Sequence, residues 1–141
     1  METNRQDAEN AKGREPSKEI DRLAYTVIGA AIEVHRVLGP GFLEEVYGKA
    51  LAIELSRRGI AYECEKCVTV NYKGYEVGKG RLDFFIANTL IVELKAVQNL
   101  APIHEAQVLS YLKITNYPLA LLINFNVPIL KEGIKRIILS S

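Results

Sequence analysis

From Lys18 onward the apolar positions recur with a helical period. Ile20, Leu23, Ala24, Val27, Ala31, Val34 and Leu38 follow one another at helical spacing, which gathers them into one stripe. Ser17 precedes the run as its N-cap, and Leu38-Gly39-Pro40-Gly41 ends it. A second helix is predicted from Leu43 to Arg58, with Leu43, Val46, Ala50 and Leu51 inward and Gly59 as its stop. The period then changes to two. Residues 61–71 read as a strand and Tyr72-Lys73-Gly74 as a tight turn. A second strand begins near Tyr75 and resumes through Leu82–Ala87, and Asn88-Thr89 turns the chain again. Leu90–Lys95 is short and mostly apolar, the mark of a central strand covered on both faces. Residues 103–115 predict a helix, Leu119–Asn124 a further buried strand, and Ile134–Leu139 is a candidate last strand. The order is helix, helix, three strands, helix, strand, which makes the fold class α/β.

Composition narrows the class. Of 141 residues, 48% are hydrophobic and 25% charged, an ordinary globular profile that excludes a disordered, collagen-like or disulfide-stapled chain. The polar stretch 1–16 lacks any period and is expected to be a disordered tail, leaving 17–141 as a single domain. Lys and Arg total 18 against 17 Asp and Glu, a net charge of +1, so attraction to a polyanion must come from a local patch or a bound cation. No run approaches about 18 apolar residues, so no membrane partner is expected. The start of the chain has no apolar signal-like core, and there are two cysteines; both features suit a cytoplasmic protein. Composition leaves the oligomeric state open, a homo-oligomer included.

Glu93 and Lys95 are the anomaly in Leu90–Lys95. They share one face of a strand whose other residues are apolar, while Val92 and Leu94 face the opposite way. Burying either charge costs several kcal/mol unless it is compensated. The bland explanation is a salt bridge at a strand end. Asp83 sharpens the case, because a turn at Asn88-Thr89 lays its strand antiparallel to the next and brings Asp83 near Glu93 or Lys95. Two carboxylates on one face repel unless a cation lies between them, and a hard divalent ion such as Mg²⁺ (or Mn²⁺) suits an all-oxygen site. Lys95 beside it would orient an attacking water or stabilise charge on phosphate oxygens. Asp83 could instead pair with Arg81 or Lys95 on an exposed face. Glu44 and Tyr47 lie three apart on the second helix and share a face, although Glu44 and Glu45 are also ordinary first-turn acids. His104, Gln107 and Tyr111 share a face of the later helix, which could equally be a solvated one.

Taken together these pieces resemble a known family. Gly41-x-x-Glu44-x-x-Tyr47 matches the signature of the GxxExxY family, a branch of the PD-(D/E)xK nuclease-like superfamily. Arg81-x-Asp83, Glu93-Leu94-Lys95, His104-x-x-Gln107-x-x-x-Tyr111-Leu112 and Leu122-Ile123-Asn124-Phe125 are similar to further pieces of that family, over roughly residues 20–139. The resemblance implies a restriction-endonuclease-like core of helix, three strands, helix and strand, with an extra N-terminal helix. It implies Asp83 and Glu93 as metal carboxylates, the Leu94 carbonyl as a third ligand, Lys95 as the catalytic lysine and Glu44 as an extra acid from the first core helix. Gln107 and Tyr111 resemble the Q-x-x-x-Y element of RecB-like nucleases, which supports the site or contacts nucleic acid. The literal Pro-Asp pair is absent, since Leu82 precedes Asp83. The expected activity is Mg²⁺-dependent hydrolysis of phosphodiester bonds in nucleic acid, most readily DNA. The alternatives are a non-catalytic nucleic-acid-binding or regulatory module that keeps the fold, and a homodimer in which these residues form an ion-pair network.

Other features carry less. Cys64-x-x-Cys67 lacks a second pair for zinc and lies in a strand-like stretch, so both are read as ordinary cysteines. His35 suits a helix C-terminus better than a metal. Tyr72 and Tyr75 flank a turn, where they pack across strands or stack on bases. Lys131, Lys135 and Arg136 form a late basic cluster, and Gly78 and Gly80 lack the spacing of a phosphate loop.

Overall fold

The structure is a computed structural model that describes residues 16–139. The tail expected over 1–16 lies outside the described residues except for Pro16. Helix α1 spans Lys18–Leu38, and the Ser17 side chain accepts a hydrogen bond from the Ile20 amide as its cap. Helix α2 spans Glu44–Arg57. Strands β1 (Tyr62–Tyr72), β2 (Tyr75–Ile86) and β3 (Leu90–Lys95) follow, then α3 (Pro102–Thr115) and β4 (Leu119–Asn124). A short 3-10 turn, Leu130–Gly133, leads into β5 (Ile134–Ile138), so the candidate last strand is formed.

The five strands lie in the order β1-β2-β3-β4-β5. Only β3 and β4 are parallel, and α3 makes the crossover that a parallel pair requires. Helices α1 and α2 cover one face of the sheet; Val27, Ala31, Val34, Leu51 and Leu55 meet Phe84, Val92, Leu94 and Ile123 there. Helix α3 covers the other, where Val108 and Leu112 meet Leu82, Phe85, Ile91 and Leu122. Every residue of β4 is buried, as its unbroken apolar run requires. This is an α/β fold with a mixed sheet, consistent with a restriction-endonuclease-like core.

One inward face differs from expectation. On α2, Leu43 and Val46 are exposed, and the buried stripe is Tyr47, Leu51 and Leu55. The helix starts only at Glu44, so Leu43 is its cap residue and the inward face begins one position later, on Tyr47. The stripe then repeats every four residues.

The feature that positions the site is a parting of the strands. β2 and β3 pair only at Phe84–Val92, Phe85–Ile91 and Ile86–Leu90. Alternation along β2 also slips at this point, because Leu82 and Phe85 both face α3 while Phe84 faces α1 and α2. Opposite Asp83 on β1, Glu65 leaves the ladder with φ 54°. Asp83 therefore sits in a local irregularity, with its backbone free of the β3 ladder.

Candidate active site

Where the ladder between β2 and β3 stops, two carboxylates take over its hydrogen bonds. The Asp83 amide donates to Glu93 Oε2 at 2.7 Å, and the Leu94 amide donates to Asp83 Oδ2 at 2.8 Å. The two bonds are reciprocal, so each acid is fixed by the backbone of the other's strand. The second oxygens, Asp83 Oδ1 and Glu93 Oε1, have no hydrogen-bond donor among the described residues. Glu93 is only 5% exposed.

Charge is poorly compensated at this point. Burial, and then the charge of Asp83, push the Glu93 carboxyl up to about 8; the Asp83 amide and the Lys95 ammonium offset this only in part. Burial also raises Asp83, against the Leu94 amide and Lys95. Glu44 is raised by burial and by the charge of Asp83. Among the described residues, none of Glu44, Asp83, Glu93 and Lys95 forms an ion pair within 4.0 Å. The strand-end salt bridge is thus not what holds these groups.

A cleft of about 540 Å³ opens over them. Glu44 comes from the first turn of α2, Asp83 from β2, Glu93 and Lys95 from one face of β3, and Gln107 and Tyr111 from α3. Six residues named from the sequence therefore line one space. Leu94 points its side chain into the core and presents only its backbone to Asp83.

Tyr47 does not line the cleft. It is fully buried, stacked on Phe125 at 4.6 Å, and its hydroxyl donates to the Gly39 carbonyl at 2.6 Å while accepting from the Phe42 amide at 3.2 Å. Its place is behind the site, fastening the loop in which Gly39 and Gly41 take positive φ and from which Glu44 emerges. His104 is also elsewhere engaged, since its Nδ1 accepts from the Ala101 amide at 2.9 Å and caps α3. His35 Nε2 donates to the Val127 carbonyl. Cys64 and Cys67 are exposed free thiols. Lys135 and Arg136 pair with Glu105 and Asp21 on the surface.

Four residues lining the cleft had been given no role there: Cys67, Lys79, Gly80 and Arg81. They come from the β1–β2 ribbon, and Gly80 shows why. A Cβ at that position would lie 2.8 Å from Cε1 of the Tyr111 ring, so only glycine lets α3 approach. The signal in the sequence was a glycine inside a strand pattern, which marks close approach of another group.

The donor set fits a hard cation. Asp83 and Glu93 supply oxygen alone, each with an unpartnered oxygen, and Mg²⁺ typically takes one or two carboxylates beside water and phosphate oxygens. Among the described residues, no three His, Cys, Asp or Glu side chains converge as a ready-made cage. Two carboxylates are what the parted strands provide.

The model of the PD-(D/E)XK nuclease superfamily matches residues 21–137. The chain belongs to the PD-(D/E)XK nuclease superfamily. The match spans both faces of the sheet and every side chain of the cleft. Among solved structures, that of SSO0001 is similar at 20% identity, with a TM-score of 0.47, over 86% of this chain and 63% of its own. No curated protein matches the sequence. No described helix of this PD-(D/E)XK protein is long and apolar enough to cross a membrane.

Proposed function

We propose that this chain is a divalent-metal-dependent nuclease that hydrolyses phosphodiester bonds of nucleic acid, DNA first, with residues 17–141 acting as one catalytic domain. The observation that carries the reading is the reciprocal pair at Asp83 and Glu93, two crowded acids with free oxygens facing a cleft that also holds Lys95. Such an arrangement is costly as a bare structural feature and is relieved by a cation. The GxxExxY pattern through Glu44 and the Gln107-x-x-x-Tyr111 element support the same assignment by resemblance.

Asp83 and Glu93, with the Leu94 carbonyl, would hold Mg²⁺ or Mn²⁺. When bound, the ion supplies positive charge to phosphate oxygens and acidifies water. The chain's own groups do the rest. The Leu94 and Asp83 amides hold the two carboxylates in register across the strands. Lys95, one residue pair along β3 from Glu93, holds a water for in-line attack and donates to the phosphorus oxygens as charge builds on them. Glu44 accepts a proton or a hydrogen bond from water at the far wall. Gln107 and Tyr111 close the α3 side and position the phosphate.

The test is cleavage of DNA and RNA, single- and double-stranded, with Mg²⁺ or Mn²⁺. Cleavage should stop in chelator and in Glu93→Gln. Lys95→Ala should slow turnover about 10²-fold or more while Mn²⁺ still binds. Salt-sensitive binding of nucleic acid without any cleavage would replace the enzyme by the non-catalytic module.

A further inference from the structure

The β1–β2 ribbon continues well past the sheet. β2 leaves β3 at Phe84, yet its pairing with β1 runs on to Tyr72–Tyr75. Residues 71–77 are all exposed. At the tip, Tyr72 and Tyr75 are direct cross-strand neighbours, 60% and 75% exposed, and the Lys73 ammonium lies 5.3 Å from the Tyr72 ring centre.

The two tyrosines share the face that carries the cleft. Along β1, Lys66, Val68, Val70 and Tyr72 alternate onto one side. Val68 packs in the same apolar cluster as Tyr111, so this is the α3 side. On β2, Val70 pairs with Gly78 and Asn71 with Glu76, which leaves Val77 as an extra residue. That bulge shifts the alternation, and Tyr75 joins the face of Gly78 and Gly80 as the partner of Tyr72. Gly80 itself lines the cleft. One element therefore runs from the acid pair to the aromatic tip.

We infer that the ribbon tip is a stacking platform for unpaired bases of the nucleic acid whose phosphate occupies the cleft. This inference rests on the nuclease reading. Aromatic faces take bases of any sequence, and a cation beside the ring adds attraction for the backbone. About 26 Å of extended chain separates Asp83 from Tyr75. A stacked strand covers that distance in about eight nucleotides at about 3.4 Å each. A short oligonucleotide fills the cleft alone, and a long one reaches the tip. Lys79 and Arg81 lie between the two along β2, where they pair with Glu76 at 3.0 Å and Glu65 at 3.8 Å.

The experiment measures binding of oligothymidines of about 4 and about 16 nucleotides to the full chain in Ca²⁺, a hard cation larger than Mg²⁺. Wild type should bind the longer strand more tightly. The double variant Tyr72→Ala/Tyr75→Ala should lose about tenfold or more on the long strand and nothing on the short one, and Tyr72→Phe/Tyr75→Phe should restore it. Both tyrosines are exposed, so the variants leave the core untouched. Unchanged long-strand affinity in the alanine variant would overturn the platform and leave the nuclease reading standing. A wild-type dimer that the alanine variant converts to monomer would assign the tip to a second copy of the chain, and overturn it too. No binding of either strand by wild type would remove the cleft reading, and the platform with it.

Discussion

Glu93 sits at a central strand with its carboxyl held at about 8 by burial and by the charge of Asp83. In the unfolded chain the same group releases its proton near the ordinary 4.5. Between those values the folded state binds more protons than the unfolded state, so stability falls as pH rises. The contribution is complete below the unfolded value and is lost through the folded one. One proton sets the slope at no more than about 1.4 kcal/mol per pH unit. In chelator, the stability of wild type relative to Glu93→Gln should decline between about pH 5 and about pH 8, as read by urea unfolding. Mn²⁺ affinity should run the other way and rise across the same window, because the ion displaces the proton. A wild-type-to-variant difference that stays flat with pH would mean that Glu93 is ionised throughout.

At the scale of elements, the loop into α2 shows how a side chain far from the chemistry sets its geometry. Tyr47 ties Gly39 and Phe42 together behind the cleft, and Glu44 leaves that loop at the first turn of the helix. Tyr47→Phe keeps the ring stacked on Phe125 and removes both hydrogen bonds. It should cost about 1–3 kcal/mol, the range for a buried polar group left without its partner, and loosen Glu44. The measurable outcome is reduced cleavage with Mn²⁺ affinity preserved, since Asp83 and Glu93 lie on other elements. The role of Tyr47 was not legible in its spacing. Leu43 and Val46 carry more apolar character than a tyrosine, and the inward face depended on which residue began the helix. The strands were legible because their apolar runs and their turns at Lys73-Gly74 and Asn88-Thr89 agree. That agreement also brought Asp83 near Glu93 or Lys95, and the structure pairs it with Glu93. The exchange of hydrogen bonds between those acids and the opposite backbone was hidden, because it follows from the slip at Asp83 and the excursion at Glu65, which no hydrophobic period records. The wall formed by Cys67, Lys79 and Arg81 was hidden for a related reason. It depends on how a long ribbon meets α3, and Gly80 was its single local sign.

Across the whole molecule, the sheet is joined at a narrow place. The β1–β2 ribbon meets the β3-β4-β5 half through three residue pairs, and beyond them through the two carboxylate–amide bonds. Asp83 belongs to one half and Glu93 to the other. A cation held by both acids joins the halves and relieves their repulsion, so metal binding and folding are linked. An ion that binds only the folded chain at about 100 times its dissociation constant adds about 2.7 kcal/mol. At about 2–4 °C per kcal/mol for a chain of this size, the midpoint of thermal unfolding should rise by about 5–10 °C with saturating Mn²⁺. Asp83→Asn removes one of the two acids and should abolish the rise. Lys95→Ala leaves both acids in place and should keep it, even though cleavage is slowed. The pair of variants separates holding the ion from using it. An equal rise in Asp83→Asn would put the ion elsewhere on the chain and leave the parted strands without the cation their charges call for.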